Sequence, residues 1–265
     1  MNIHKTTAVI LKKIPYSESD MIVWWLAGDG RKQGGFAPSA RSSQKRFAGG
    51  LDLFTFVELL YQERKGTELV LLQNASLQNG MEGIRKDLPK FASACYFSEM
   101  ILEFLQEKQS LPAVFGIFWH FLQTIDRPGP LAPHLIPLME HQLLTLFGFR
   151  PSLSACGKCG KKIRSAEPAE PVQPVEPNER YFFDGRHGSI LCSLCAGPVS
   201  VDSHPLSHES LTHLLKSVEA NPSEWFSQGW KTDQVAQTRR AFEYFIQYTA
   251  GKPLKSLRFL SQILS

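Results

Sequence analysis

Four of the chain's five cysteines occur as two pairs with the same spacing. The pairs are Cys156-Gly-Lys-Cys159 and Cys192-Ser-Leu-Cys195, and thirty-two residues separate them. A CxxC turn lets two thiolates reach one ion while its backbone amides point at the sulfurs, and Gly157 relieves the crowding inside such a turn. Two such turns complete a tetrahedral shell of four thiolates, which leaves no coordination position open for water or substrate. The spacing therefore predicts a structural zinc site rather than a catalytic one.

Paired cysteines have other uses, and three of them stay open at this point. Two disulfides would form in an exported protein, but the first residues contain no apolar run with a small-residue cleavage site. No window approaches eighteen uninterrupted apolar residues, so we expect no membrane span and a cytoplasmic protein, whose thiols stay reduced. A redox dithiol would use one pair and leave the other idle. An iron–sulfur cluster also takes four thiolates, although its cysteine spacing usually differs.

The alternative from a different functional class is a zinc-dependent nuclease or hydrolase. Such an enzyme would use Asp184 or Asp202 together with the nearby histidines, which are His187, His204, His208 and His213. The HExxH motif of zinc proteases is absent, and Ala155 and Leu191 precede the cysteine pairs where zinc deaminases need proline. The sequence therefore predicts no catalytic residues. A third alternative is a zinc-ribbon adaptor that binds only other proteins.

The positive charge of the chain is concentrated near its two ends. The formal net charge is only +4, but residues 31–46 contain five basic residues and no acidic one. This asymmetry is typical of proteins that bind polyanions. We expect these five side chains to contact DNA phosphates: Arg31, Lys32, Arg41, Lys45 and Arg46. Phe36 and Phe47 lie in or beside this run, and each would either stack on bases or pack in a core.

The hydrophobic pattern changes from strands to helices along the chain, which predicts an α+β fold. Short β-prone runs and turn signals fill the first eighty residues, and a small barrel of the oligonucleotide-binding (OB) type suits short strands that carry a long basic loop. Helical periodicity begins near Leu88. The predicted domains are an OB-fold barrel at 1–80, an α-helical domain at 81–155 and 200–265, and a four-cysteine zinc module at 156–199. Within the module, a Pro/Glu/Val tract at 166–178 predicts a mobile loop.

Several separated segments add information when they are taken in order. They are Ala8–Lys12, Tyr16–Asp20, Ala37–Ser43, Leu146–Cys159, Phe182–Cys195 and Gly251–Leu260. Together they resemble the bacterial RecO recombination mediators, from the opening strand and its acidic turn to the closing helix. Ser39 departs from this pattern because it stands where the family's Gly-Ala-Arg loop usually has glycine.

The resemblance implies an N-terminal OB-fold barrel, a helical domain and a zinc module. It also implies binding of single- and double-stranded DNA, annealing of complementary strands, and loading of a recombinase onto strands coated by single-strand-binding protein during recombinational repair of DNA damage. The implied partners are RecR and the acidic C-terminal tail of single-strand-binding protein, with RecF as a further candidate. The implied cofactor is structural zinc.

Overall fold

A computed structural model describes residues 3–43, 45–163, 180–197 and 202–264. Internal contacts divide the chain into two compact units, Met1–Leu131 with Arg258–Ser265, and Ala132–Leu257. Strands and helices both occur in each unit, which confirms the predicted α+β class. The predicted loop at 166–178 lies outside the described residues. The predicted domain boundaries at 80, 155 and 199 stay predictions.

Five strands form a closed barrel in the first unit. They are β1 (Ile3–Pro15), β2 (Met21–Ala27), β3 (Lys32–Ala37), β4 (Phe56–Gln62) and β5 (Val70–Asn79). Neighbouring strands follow the order β1-β2-β3-β5-β4, and the long strand β1 pairs with both β2 and β4. The register of β1 against β2 shifts between Ile10 and Lys12, and the β3–β5 pair is parallel. A closed five-stranded barrel agrees with the predicted OB fold.

The barrel interior is apolar, and its tight packing explains a strand that the sequence did not reveal. Trp25 is fully buried in the core, and a Cβ atom added to Gly35 would lie 2.7 Å from its ring. Gly34 and Gly35 lie within the basic run 31–46, for which a long loop was expected, but both belong to strand β3. Glycine in a strand interior weakens the local signal for a strand and often marks a close approach by a neighbour. Here the neighbour is the indole of Trp25.

Three helices follow the barrel in the first unit: α1 (Glu82–Arg85), α2 (Leu88–Phe104) and α3 (Pro112–Ile125). Residues 258–263, the larger part of a C-terminal helix, also belong to this unit. Asp87 caps α2, since its carboxylate accepts a hydrogen bond from the Lys90 amide at 3.0 Å. The rings of Phe97 on α2 and Phe121 on α3 meet edge to face at 4.9 Å between centroids. Across the described ranges, no helix is long and apolar enough to cross a membrane.

The second unit combines a small sheet with helices. Its elements are α4 (Leu135–Leu146), β6 (Ser152–Cys156), β7 (Arg180–Asp184), β8 (Ser189–Cys192), α5 (Ser193–Ala196), β9 (Ser203–Ser207), α6 (His208–Glu219), a 3-10 helix (Pro222–Ser227) and α7 (Thr232–Ala250), and α8 (Lys255–Ile263) follows in the chain. The sheet order is β6-β8-β7-β9. Phe183 of β7 packs against Phe242 and Phe245 of α7, with ring centroids 5.6 and 5.9 Å away. This sheet positions both cysteine pairs.

Helix α7 begins at Thr232, and Lys231 is its capping residue. The side chain of Gln234 accepts a hydrogen bond from the Lys231 amide at 3.0 Å and completes the cap. Asp233 therefore lies in the first turn, where a carboxylate interacts favourably with the helix dipole.

Candidate functional site

The structure brings the four paired cysteines together. Their sulfur atoms all lie within 4.8 Å of one another, and the Cys159 and Cys192 sulfurs are 3.9 Å apart. In the described part of the chain, no other group of three or more histidine, cysteine or acidic side chains is arranged to hold a metal ion. Cys156 and Cys192 are buried, whereas Cys159 is exposed. The cluster therefore has a buried half and an outer half.

The first pair lies in a tight turn at the end of β6. Cys156 is the last residue of that strand; its amide donates to the Lys161 carbonyl at 2.8 Å, and its carbonyl accepts from the Gly160 amide at 2.9 Å. Gly160 has a φ of 73°, which favours glycine. A Cβ atom on Gly157 would lie 2.6 Å from the Ser189 hydroxyl oxygen. Both glycines are thus required by the shape of this turn.

The second pair spans the junction between β8 and the single turn α5. Cys192 ends the strand and is the residue before the helix, so Cys195 comes back toward the first pair. The Cys192 amide donates to the Cys156 sulfur at 3.4 Å, within reach of an N–H···S hydrogen bond. Leu194, between the two cysteines, is 91% exposed.

The electrostatics of the cluster favour an anionic sulfur at its inner side. Burial raises the pKa of Cys156, but hydrogen bonds from the backbone amides of Cys159, Cys192 and Lys158 outweigh it and lower the pKa to about 6. Hydrogen bonds to Cys192 and Cys159 raise the pKa of Cys195 to about 12. The inner Cys156 sulfur therefore loses its proton much more readily than the Cys195 sulfur.

The basic loop is the connection between β3 and β4, residues 38–55. Arg41, Lys45 and Arg46 are all exposed on it. The Arg46 guanidinium donates to the Pro38 carbonyl at 2.8 Å and lies 5.1 Å from the ring centroid of Phe47. Because a guanidinium has five N–H donors, most of those of Arg46 remain available for a ligand. The structure therefore keeps three of the five predicted cations together on one exposed loop.

The turn between β1 and β2 holds this loop in place. The Asp20 carboxylate accepts from the Ser39 amide at 2.8 Å, and the Arg41 amide donates to the Ser19 carbonyl at 2.9 Å. Hydrogen bonds from the Ser39 amide and then from the Ser17 hydroxyl lower the pKa of Asp20. Ser39 itself has a φ of 54°, a left-handed conformation that glycine adopts more easily. The loop thus keeps a backbone shape suited to glycine although the side chain is serine.

The other two predicted cations, Arg31 and Lys32, do not lie on the basic loop. Arg31 pairs with Asp29, with a guanidinium nitrogen 2.7 Å from the carboxylate. Lys32 is half-buried on β3, and its ammonium donates to the Leu102 carbonyl at 2.8 Å. Burial lowers the pKa of Lys32. Both charges are thus engaged within the first unit, and the sequence run of five cations divides into two sets.

Aromatic side chains near the basic loop divide in the same way. Phe47 is buried in the barrel core, which is the packing alternative considered from the sequence. Phe36 is half-buried, and Tyr16 meets its ring edge to face at 5.6 Å between centroids. Tyr16 is 66% exposed and lies in the turn that holds the loop, although it is not among the site residues predicted from the sequence. Its contact with Phe36 depends on the pairing of β2 with β3, which brings the turn to Phe36, and no local sequence pattern indicates that pairing.

The acidic residues considered for catalysis form pairs with neighbouring side chains. Asp184 accepts from the His187 ring nitrogen at 2.8 Å. Asp202 accepts from the Tyr244 hydroxyl and pairs with Arg186 at 2.7 Å. Burial raises the pKa of Asp184. The hydrogen bond from His187 and then those from two backbone amides lower it by more, so the pKa lies below its usual value. A low carboxyl pKa suits a structural ion pair better than a general acid.

Comparisons with known proteins cover nearly the whole chain. The family model described as "Recombination protein O N terminal" matches residues 1–81, and the one described as "Recombination protein O C terminal" matches residues 85–258. A protein named DNA repair protein RecO from Syntrophotalea carbinolica is 32% identical over 256 residues, 97% of this chain and 93% of that protein. The protein of the same name from Anaeromyxobacter sp. (strain K) is 30% identical over 259 residues, 98% of this chain and 96% of that protein. The one from Syntrophus aciditrophicus is 28% identical over 261 residues, 98% and 96% of the two chains.

Proposed function

Because the chain belongs to the RecO family of DNA repair proteins, we propose that it is a non-enzymatic mediator of recombinational repair that binds and anneals DNA. The observation that carries this proposal is a set of cations and aromatics on an OB-type barrel, where the β1–β2 turn meets the basic loop. The set consists of the exposed Tyr16, Arg41, Lys45 and Arg46 and the half-buried Phe36. OB barrels bind single strands with grooves that combine positive charge and stacking rings. The protein would then help a recombinase replace single-strand-binding protein on coated strands.

The proposed contacts are made with DNA phosphates and with the face of an unpaired base, so they do not depend on the base sequence. Arg41, Lys45 and Arg46 neutralise phosphates, which releases counterions from either single- or double-stranded DNA. Tyr16 offers its exposed ring to an unpaired base, and Phe36 supports that ring from the side. We leave Lys32 out of this set because its ammonium is bound to the Leu102 carbonyl. Contacts that ignore sequence suit annealing, in which any complementary pair of strands must be accepted.

We propose that the cysteine cluster holds structural zinc. Zn–S bonds of about 2.3 Å in a tetrahedron place the sulfurs about 3.8 Å apart, and the Cys159 and Cys192 sulfurs are 3.9 Å apart. A cluster with several iron atoms needs more room between its ligands than this spacing gives. Bound zinc would cross-link β6 to the β8–α5 junction and stabilise charge on all four sulfurs. The Cys192 amide already points at the Cys156 sulfur, so part of the hydrogen-bond support for a thiolate is in place.

The proposed protein partners follow from the family and from charge. They are RecR and the acidic C-terminal tail of single-strand-binding protein, with RecF as a further candidate. An acidic tail is attracted to exposed cations by the same long-range field that attracts DNA. DNA and the tail would therefore compete in a salt-dependent manner wherever they share cations.

A strand-annealing assay tests the proposed function. Two complementary oligonucleotides, bare or coated with single-strand-binding protein, are mixed with the purified protein, and duplex formation is followed by fluorescence transfer. We expect annealing by the wild type and a large loss when Arg41, Lys45 and Arg46 are replaced together by alanine. Wild-type protein that binds DNA without annealing it would contradict the mediator role, and strand cleavage would favour the nuclease alternative. Metal analysis of the same preparation should give one zinc per chain.

A further inference from the structure

A cleft of about 470 Å³ lies at the C-terminal end of α7 in the second unit. Its lining residues are Tyr244, Gln247, Tyr248, Gly251, Lys252 and Pro253. None of them belongs to the cysteine cluster or to the basic loop. Gly251 ends α7 with a φ of 67°, a conformation that glycine adopts readily, and this turn directs the following residues to the cleft. The last turns of α7 and the residues after Gly251 therefore form the cleft.

Two tyrosines form an aromatic surface in this cleft. Tyr244 and Tyr248 lie one helical turn apart, with ring planes only 12° from parallel and centroids 6.5 Å apart. The Tyr244 hydroxyl donates to Asp202, and its ring contacts His204 at 5.2 Å between centroids, so this tyrosine is fixed. Tyr248 is 53% exposed. The result is a rigid inner ring beside an outer ring that solvent reaches.

Positive charge lies beside these rings. Lys252 lines the cleft, and Arg186 interacts electrostatically with both tyrosines while it pairs with Asp202 at 2.7 Å. Burial is the largest cause of the lowered pKa of His204, the ring that Tyr244 contacts. Asp202 is bound by Arg186 and Tyr244, and Lys252 adds a further positive charge at the cleft.

We propose that this cleft is a second binding subsite for single-stranded DNA, separate from the barrel. One unpaired base stacks on Tyr248, and the ammonium of Lys252 holds a neighbouring phosphate. An exposed ring next to a lysine matches the two chemical faces of a nucleotide, a flat base and an anionic phosphate. Duplex DNA would not use the ring, because its bases are stacked on one another. The inference rests on the proposed function only for the choice of DNA as the ligand, and it gives one chain two places to hold the strands that it anneals.

The test measures binding of a fluorescent oligo(dT) by anisotropy, with full-length, metal-loaded protein. Base stacking contributes about 1–3 kcal/mol per base, so Tyr248→Ala should weaken binding about 5- to 150-fold. Its salt dependence should not change, because no charge is lost. Tyr248→Phe keeps the ring and should bind like the wild type. Lys252→Ala should weaken binding and flatten the slope of log affinity against log salt by about 0.7. A duplex of the same length should bind Tyr248→Ala and the wild type equally.

A second readout does not depend on the stability of the variants. An oligonucleotide with one 5-iodouracil is photo-crosslinked to the wild type, and mass spectrometry should find the adduct on Tyr248 or its neighbours in the cleft. Unchanged oligo(dT) affinity in Tyr248→Ala, or crosslinks confined to the barrel, would overturn the subsite and leave the barrel proposal standing. Loss in Tyr248→Ala with full binding by the barrel triple variant would instead overturn the barrel as the main site. A cleft that binds an acidic peptide but gives no crosslink would assign it to a protein partner.

Discussion

The salt dependence of DNA binding separates the three loop cations from the other two. Replacing Arg41, Lys45 and Arg46 together by alanine removes three exposed charges from the connection between β3 and β4. Each phosphate contact contributes about 0.7 to the slope of log affinity against log salt for a single strand, so the slope should flatten by about 2. Between 50 and 200 mM salt, the wild type should then lose about 20-fold more affinity than the variant. Unrelated sequences should behave alike, since phosphates carry no sequence information.

The chain supplies a matched control within the same run of charge. Lys32→Ala also removes one positive charge, but this ammonium is bound to the Leu102 carbonyl and is half-buried. We therefore expect little change in the salt slope from Lys32→Ala. Arg31→Ala should behave similarly because Arg31 already pairs with Asp29. Anisotropy titrations of one oligonucleotide at five salt concentrations measure all the slopes, and thermal melting checks the fold.

Three results would refute this reasoning. An unchanged slope in the triple variant would mean that the loop does not touch phosphates. A slope that flattens as much in Lys32→Ala as in a single loop variant would mean that position on the loop is irrelevant and only net charge matters. If the triple variant lost affinity for one sequence and kept its slope, the loop would be reading bases.

Three further predictions concern stability. Ser39→Gly should stabilise the protein by about 0.5–1 kcal/mol in urea unfolding, because serine pays to hold a φ of 54° whereas glycine does not, and Ser39→Val should destabilise it. Cys192→Ser should lower bound zinc and melting temperature together, and full zinc with full stability would contradict the assigned ligand set. Burial, and then the charge of Arg150, lowers the pKa of His141 to about 4 from an ordinary value of 6.5. The free energy of unfolding should therefore be constant above pH 6.5 as far as His141 is concerned, and it should fall by about 1.4 kcal/mol per pH unit between pH 6.5 and 4. His141→Leu should abolish this dependence, and parallel urea curves for the two proteins at every pH would contradict it.

Local spacing predicted the cysteine cluster, because two CxxC turns limit the geometry that their sulfurs can adopt. The barrel and its basic loop were also predictable, because short β-prone runs flank a stretch that contains five basic residues and no acidic one. Strand β3 was missed because Gly34 and Gly35 suppress the strand signal, and only the packed indole of Trp25 explains why glycine is there. The sheet of the second unit was missed because its strands have only four or five residues each, too few for a period to show.

The sequence could not predict which side chains are already bound to a partner within the protein. Lys32 and Lys45 are equivalent in a count of charge, but one is bound to a backbone carbonyl of α2 and the other is exposed. Tyr16 reads as an ordinary turn residue until the pairing of β2 with β3 brings its turn to Phe36. In both cases the deciding contact joins residues distant in sequence, which periodicity and composition do not encode.

The parallel pair between β3 and β5 has a consequence for synthesis on the ribosome. Strand β3 ends at Ala37, and the residues of β5 that pair with it, Val70 and Leu71, are complete about 34 residues later. At translation speeds of about 5–20 residues per second, the outer edge of β3 stays uncovered for roughly 2–7 s. An uncovered strand edge is a template for pairing with another nascent chain, and neighbouring ribosomes on one message supply such chains at high local concentration. The two glycines of β3 lower its tendency to form a strand before β5 has been synthesised. Gly35, which packs against Trp25 in the folded barrel, would thus also reduce the time for which β3 presents an unpaired strand edge during translation.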